Sequence, residues 1–196
     1  MLDIAETETA GGPAILICAY DPGDDAWPLD DASSGPPWSP PGVRSITIPG
    51  GDSEGLATRL SERLAQRGCR ALLLVGRTQR GDGFRVQMRA EHHRPEDGET
   101  GYGTGPSLAR TTAPVADIVE ALHAAGLAAG ASSESDDDAG SYLMYRILTA
   151  LPDGVDVPAV GLLRAPEGLP AELVRRGVKA AATAMAGRLG PISRPG

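Results

Sequence analysis

After Arg70, residues 71–75 read Ala-Leu-Leu-Leu-Val with no polar interruption. A strand with one wet face alternates apolar and polar residues, whereas a run apolar on both faces must be covered on both sides. That pattern, a central parallel strand between two layers, constrains the fold more than any other stretch. "VPAVGLLRAP" at 157–166 reads the same way, and "PAILICA" at 13–19 reads as a further buried strand. Helical patterns separate them. Ser53 is placed to cap a helix whose Leu56, Leu60 and Leu64 recur every fourth residue. Pro114 opens a helix carrying Val115, Ile118, Val119 and Leu122, with Gly126 past its end. Another begins near residue 139, and Pro170 starts a last one with Leu173, Val174, Val178, Ala181 and Met185 on one side. Residues 43–49 alternate as a half-buried strand, 84–90 form a weaker strand, and 127–132 a short one. The predicted class is α/β, a single three-layer α/β/α domain with a mainly parallel central sheet.

The chain has 196 residues, enough for one well-buried domain. The expected organisation is a flexible tail at 1–12, the domain at 13–189, and a second tail at 190–196. Two irregular stretches interrupt it. Residues 20–42 hold six prolines, which rules out regular structure there. A second polar loop is expected over 91–110. Aromatics are only 4% of the chain, so the core must be built from Ala, Val, Leu and Ile. A net charge of −8 argues against a nucleic-acid partner. No run reaches the apolar length that spans a bilayer. Cys18 and Cys69 lie in apolar runs and read as reduced, buried thiols, which fits a cytoplasmic location.

In open parallel sheets, ligands sit at the carboxyl ends of the strands. Those ends carry Tyr20, the stretch "GRTQRGDG" at 76–83, Ser132 onward, and Arg164. At 135–145, "SDDDAGSYLMY", three carboxylates run directly into an apolar helix. Such a turn can present a nucleophile beside backbone N–H donors. Ser141 also suits a helix N-cap, Tyr142 and Tyr145 suit packing, and Met144 suits a core. His92 and His93 lie in a hydrophilic loop. No ligand spacing supports a metal, and no cofactor motif is complete.

The rim segments, in this order, resemble the pyroglutamyl peptidases (pyrrolidone-carboxylate peptidases), cysteine peptidases that remove an N-terminal pyroglutamate. The family's Gly-Phe-Glu-Pro-Phe-Gly is matched by "AYDPGD". Its Val-Gly-Leu-Ala-Gly-Gly-Arg segment, with the Ile and Glu-Arg-Val-Ala-Ile-Asn that follow, is matched without a gap by "VGRTQRGDGFRVQMRAEH". Its Ser-Thr-Leu-Pro and following Ile-Val-Glu-Ala-Leu helix are matched by "TTAPVADIVEALHAAG". Its Ala-Gly-Thr-aromatic-x-Cys-Asn is matched by "AGSYLMY", and its Gly-Phe-x-His-Val-Pro by "GLLRAP". The resemblance covers about residues 13 to 188.

The family's chemistry uses a thiolate nucleophile, a histidine base and a glutamate that orients it. By resemblance the glutamate falls on Gln87 and the histidine on Arg164, which stays charged and cannot act as a base. The cysteine falls on Met144 if the Ala-Gly pair is aligned, or on Gly140 without an insertion. The lactam-gripping aromatics fall on Tyr20 and Gly23, and the arginine of the glycine-rich turn on Gly81, beside Arg80. The resemblance therefore implies a member without the peptidase triad.

Two functions follow from that reading. The favoured one is a pocket reused for amide, lactam or cyclisation-type chemistry on a small metabolite or modified peptide, with Ser141, Tyr142, His92 and His93 as candidate groups. The alternative is a non-catalytic binder. Tyr20, Gly23, Arg80 and Arg164 are the expected ligand contacts, and a carboxylate-bearing small molecule or peptide is the expected ligand. The resemblance also makes a homo-oligomer plausible.

Overall fold

The computed structural model describes residues 13–20, 38–48, 51–66, 68–91, 106–152, 154 and 156–189. His92, His93, Gly23 and both tails lie outside the described residues. In chain order the elements are β1 (Ala14–Ala19), β2 (Arg44–Ile48), α1 (Ser53–Ala65), β3 (Cys69–Thr78), β4 (Phe84–Gln87) and β5 (Arg89–Glu91). They continue with β6 (Leu108–Arg110), α2 (Val115–Ala124), β7 (Ala129–Ser132), α3 (Ala139–Ala150), β8 (Ala159–Pro166) and α4 (Ala171–Gly187).

Six strands form one sheet in the order β2-β1-β3-β8-β4-β7. All neighbours are parallel except β4 and β8, so β4 and β7 run together against the other four. The apolar runs at 71–75 and 159–163 lie side by side at the centre, as their lack of polar interruption requires. Period-two alternation divides their side chains between two cores. Ala71, Leu73, Val75, Leu163 and Ala165 face α2 and α4, while Leu72, Leu74, Val160 and Leu162 face α1 and α3. The result is three layers. Leu56, Leu60 and Leu64 of α1 are all buried on the second face, each contributing roughly 1.5–3 kcal/mol by burial.

Several local expectations need correction. Asp52, not Ser53, caps α1, accepting from the Gly55 N–H at 2.8 Å. Asp138, not Ser141, caps α3, accepting from the Ser141 N–H at 2.9 Å. In both cases a carboxylate upstream of the serine is the stronger acceptor and complements the positive end of the helix. Ser141 becomes the third helical residue and turns inward. The single strand expected at 84–90 breaks at Met88: β4 joins the main sheet, and β5 pairs with β6 in a separate two-stranded ribbon. β6 itself lies inside the stretch expected to be loop. Ser132 ends a strand that runs against β8, so its carboxyl end does not share the rim of β1, β3 and β8.

No helix among the described residues is long and apolar enough to cross a membrane.

Candidate functional site

Alternation on β8 puts Arg164 on the same face as Val160 and Leu162, beneath α3. Alternation on β4 puts Arg85 and Gln87 there too, with Phe84 and Val86 in the opposite core. α3 enters over this face, carrying Ser141 on its first turn, and β1 delivers Tyr20 from the other side. Gln87, Ser141, Arg164 and Tyr20 therefore meet in one buried cluster, at 1%, 1%, 1% and 8% exposure.

Arg164 is the hub. Its Nε donates to Gln87 Oε1 at 2.9 Å. Nη1 donates to Asp138 Oδ2 at 2.5 Å and to the Tyr20 hydroxyl at 3.0 Å. Nη2 donates to Asp138 Oδ1 at 2.7 Å and to Ser141 Oγ at 3.0 Å. All five N–H groups of the guanidinium are thus engaged. The pairing with Asp138 is bidentate, the strongest geometry a carboxylate offers arginine. Asp136 adds a contact at 3.3 Å.

Burial alone would lower the Arg164 pKa, but the hydrogen bond to Asp138 and the charges of Tyr20, Asp138 and Asp136 outweigh it and raise it. Burial alone would raise the Asp138 pKa. Its hydrogen bonds to Arg164 and Ser141, with the Arg164 charge, pull it below the usual carboxylate value. Gln87 completes the cluster by donating from Nε2 to Ser141 Oγ at 3.0 Å and to the Arg89 carbonyl at 2.8 Å.

Tyr20 sits in a gap made by two glycines. A Cβ on Gly76 of β3, or on Gly140 of α3, would overlap the Tyr20 hydroxyl and ring. Both positions must stay bare for the ring to reach Arg164. The phenol fills the space at the start of α3 that a side chain at 140 would occupy.

The remaining expected site residues are placed differently. Met144 is fully buried in the core beneath α3, with Leu143 and Ile147. Tyr142 is buried and carries Arg146 over its ring at 5.9 Å. Tyr145 donates to the Pro106 carbonyl at 2.6 Å. Arg80 is half-exposed and pairs with Glu134 at 2.9 Å and Asp136 at 3.2 Å. Two carboxylates of the acidic run, Asp136 and Asp138, cover Arg164. Every N–H of the Arg164 guanidinium is held within the protein, which leaves none directed at a carboxylate ligand in this arrangement.

Ser141 Oγ accepts from the Arg164 guanidinium and the Gln87 amide, and the acceptors beside its own proton, Gln87 Oε1 at 3.5 Å and the Asp138 carboxylate with its lowered pKa, are weak bases. Cys18 and Cys69 are free and buried. They align four residues apart along the β1–β3 register, roughly 13 Å at the strand rise, and cannot bridge. Among the described residues, no three His, Cys, Asp or Glu side chains gather to hold a metal.

Sequence reasoning missed Arg85. It faces Arg164 directly across the β4–β8 pair. The alternation Phe84-Arg85-Val86-Gln87 was the signal: whichever face took Gln87 had to take Arg85 as well.

No family model and no curated protein matches this sequence. Solved structures do. Pyroglutamyl peptidase I from Bacillus amyloliquefaciens superposes with a TM-score of 0.72 at 16% identity, over 92% of this chain and 100% of that one. Pyrrolidone carboxyl peptidase from Thermus thermophilus gives 0.62 at 20% identity, over 87% and 99%. The enzyme from Thermococcus litoralis gives 0.66 at 15% identity, over 93% and 99%. At these identities the likeness establishes architecture, and the chain has the fold of the pyroglutamyl peptidases.

Proposed function

We propose that this chain is a pyroglutamyl-peptidase-like protein that has lost the cysteine-peptidase triad and serves as a non-catalytic binding protein. The observation that carries this reading is the closed Arg164 cluster. A thiol peptidase needs a nucleophile, a base that can accept its proton, and open space for a carbonyl between them. By the resemblance, Gln87 stands for the orienting glutamate and carries no charge. Arg164 stands for the histidine and holds its proton at every physiological pH. The cysteine position is either Met144, sealed in the core, or Gly140, whose side-chain space Tyr20 fills.

Of the groups considered for new chemistry, His92 and His93 lie outside the described residues, and the other two are closed off. Ser141 and Tyr142 are buried, and Ser141 is tied to donors. The geometry thus favours binding over reuse of the pocket for another reaction. A fluorogenic pyroglutamyl-coumarin substrate tests the proposal. No release above the buffer rate is expected. Turnover that iodoacetamide abolishes would overturn it.

A further inference from the structure

The arginines on this face form a row. Arg164 on β8 faces Arg85 on β4, and Arg80 lies in the turn that leads into β4. A segment between β7 and α3 crosses above them with carboxylates at every second residue: Glu134, Asp136 and Asp138. In an extended chain that spacing points all three to one side, and the intervening Asp137 is exposed. Among the described residues, no backbone hydrogen bond ties Ser135, Asp136 or Asp137 to another element.

The pairing is uneven along the row, weakest at Arg85. At the deep end Asp138 grips Arg164 at 2.5 and 2.7 Å. In the middle of the row Arg85 donates from Nη2 to Ser132 Oγ but reaches Glu134 only at 3.5 Å and Asp136 only at 3.7 Å, while at the outer end Arg80 holds Glu134 at 2.9 Å. Arg85 Nη1 and Asp136 Oδ1 are both buried without a hydrogen-bond partner. A buried guanidinium N–H left unfilled is costly, and better acceptors would gain from it. Glu134 is a poor occupant, with 68% of its side chain in solvent, where an ion pair contributes little. This loosely paired stretch opens on a cleft of about 570 Å³ lined by Arg80, Gly83, Arg85, Ser132, Ser133 and Glu134. That volume suits a small organic ligand.

We propose that this cleft binds a small molecule carrying at least two anionic groups, carboxylate or phosphate, held by Arg80 and Arg85. Glu134 is its internal competitor and swings out when the ligand enters. One anionic group replaces the Glu134 carboxylate on Arg80 and meets Nη2 of Arg85, the nitrogen that faces Glu134, and the second lies among the glycines and serines of the cleft. The proposal rests on the binding reading above and moves the ligand from Arg164, which is saturated, to its neighbours.

Titration calorimetry of the full chain at low ionic strength tests it, with citrate and pyrophosphate as separate probes. At least one probe is expected to bind, and which one separates carboxylate from phosphate chemistry. Glu134→Gln removes the competitor and keeps the shape, so affinity should rise at least about fivefold. Arg85→Met and Arg80→Met should each weaken binding at least about tenfold. Arg80 is largely exposed, so its variant keeps the test valid if Arg85→Met fails to fold. The proposal is overturned if neither probe binds, if Glu134→Gln leaves affinity unchanged, or if both arginine variants bind as the parent does. A null titration leaves the loss of peptidase activity untouched, because the coumarin assay judges that separately.

Discussion

Asp138 caps α3 and holds Arg164 of β8 with the same carboxylate, receiving Nη1 at 2.5 Å, Nη2 at 2.7 Å and the Ser141 N–H at 2.9 Å. One side chain thus fastens the start of a helix to the centre of the sheet. Asparagine caps about as well as aspartate, so Asp138→Asn keeps the cap and breaks the ion pair. The change is expected to lower stability by about 2–3 kcal/mol, less than the roughly 3–5 kcal/mol for breaking a fully buried pair, because Asp138 is partly exposed and Asp136 remains beside Arg164. Urea unfolding measures this. A change below about 0.5 kcal/mol would mean that the pair is not formed in solution.

The same carboxylate sets an acid limit. Its pKa is depressed in the folded chain, so an unfolded chain takes up the proton first, near about pH 4. The stability it supplies is complete above that value and is lost as pH falls through the lower, folded pKa. The parent should therefore lose melting temperature more steeply below pH 4 than Asp138→Asn does. Parallel acid limbs would count against the pairing.

Gly140 and Tyr20 should be energetically coupled. Gly140→Ala places a methyl group where the phenol lies, and overpacking of this kind costs about 1–3 kcal/mol. In a Tyr20→Ala background the methyl has room, so the double variant should be more stable than the sum of the two changes requires. Gly140→Cys in the parent should create no pyroglutamyl cleavage. Additive effects in the cycle would show that Tyr20 does not occupy the gap.

Thiol chemistry gives a fourth test. Burial pushes the Cys18 thiol up to about 11, only partly offset by Arg59, and burial also raises Cys69. Native protein at pH 8 should react with iodoacetamide far more slowly than urea-unfolded protein, read by mass spectrometry. Labelling of either cysteine at the unfolded rate would contradict its burial. As pH rises from about 8.5, an unfolded thiol releases its proton while native Cys18 holds on until about 11. Cys18 therefore lowers stability as pH rises through that window.

The layers were legible in the sequence because burial on two faces leaves an unbroken apolar run at 71–75, and burial of one stripe leaves Leu56, Leu60 and Leu64 four apart. Strand direction was not, since local pattern is the same whichever way a strand runs. β4 and β7 therefore reverse without warning. The caps were misread because a serine stands just inside each helix while the charged acceptor lies upstream, at Asp52 and Asp138. β6 is three residues, too short to show a period. The Arg164 corner was anticipated through "GLLRAP", but its closure was not. The alternation Glu134, Asp136, Asp138 carries that information, since alternate residues of an extended segment share one side.

The central claim is that Arg164 is a structural ion sealed in a closed corner, and thermal unfolding of Arg164→Met tests it most directly. Methionine keeps the bulk and removes the charge, which strands Asp138 and Asp136 over a buried face. The expected loss is about 3 kcal/mol, which at roughly 2–4 °C per kcal/mol for a chain of this size lowers the Tm by about 6–12 °C. Affinity for an anion at Arg80 and Arg85 should survive. A variant that melts with the parent and loses anion binding instead would show that Arg164 faces a ligand and that the corner is open.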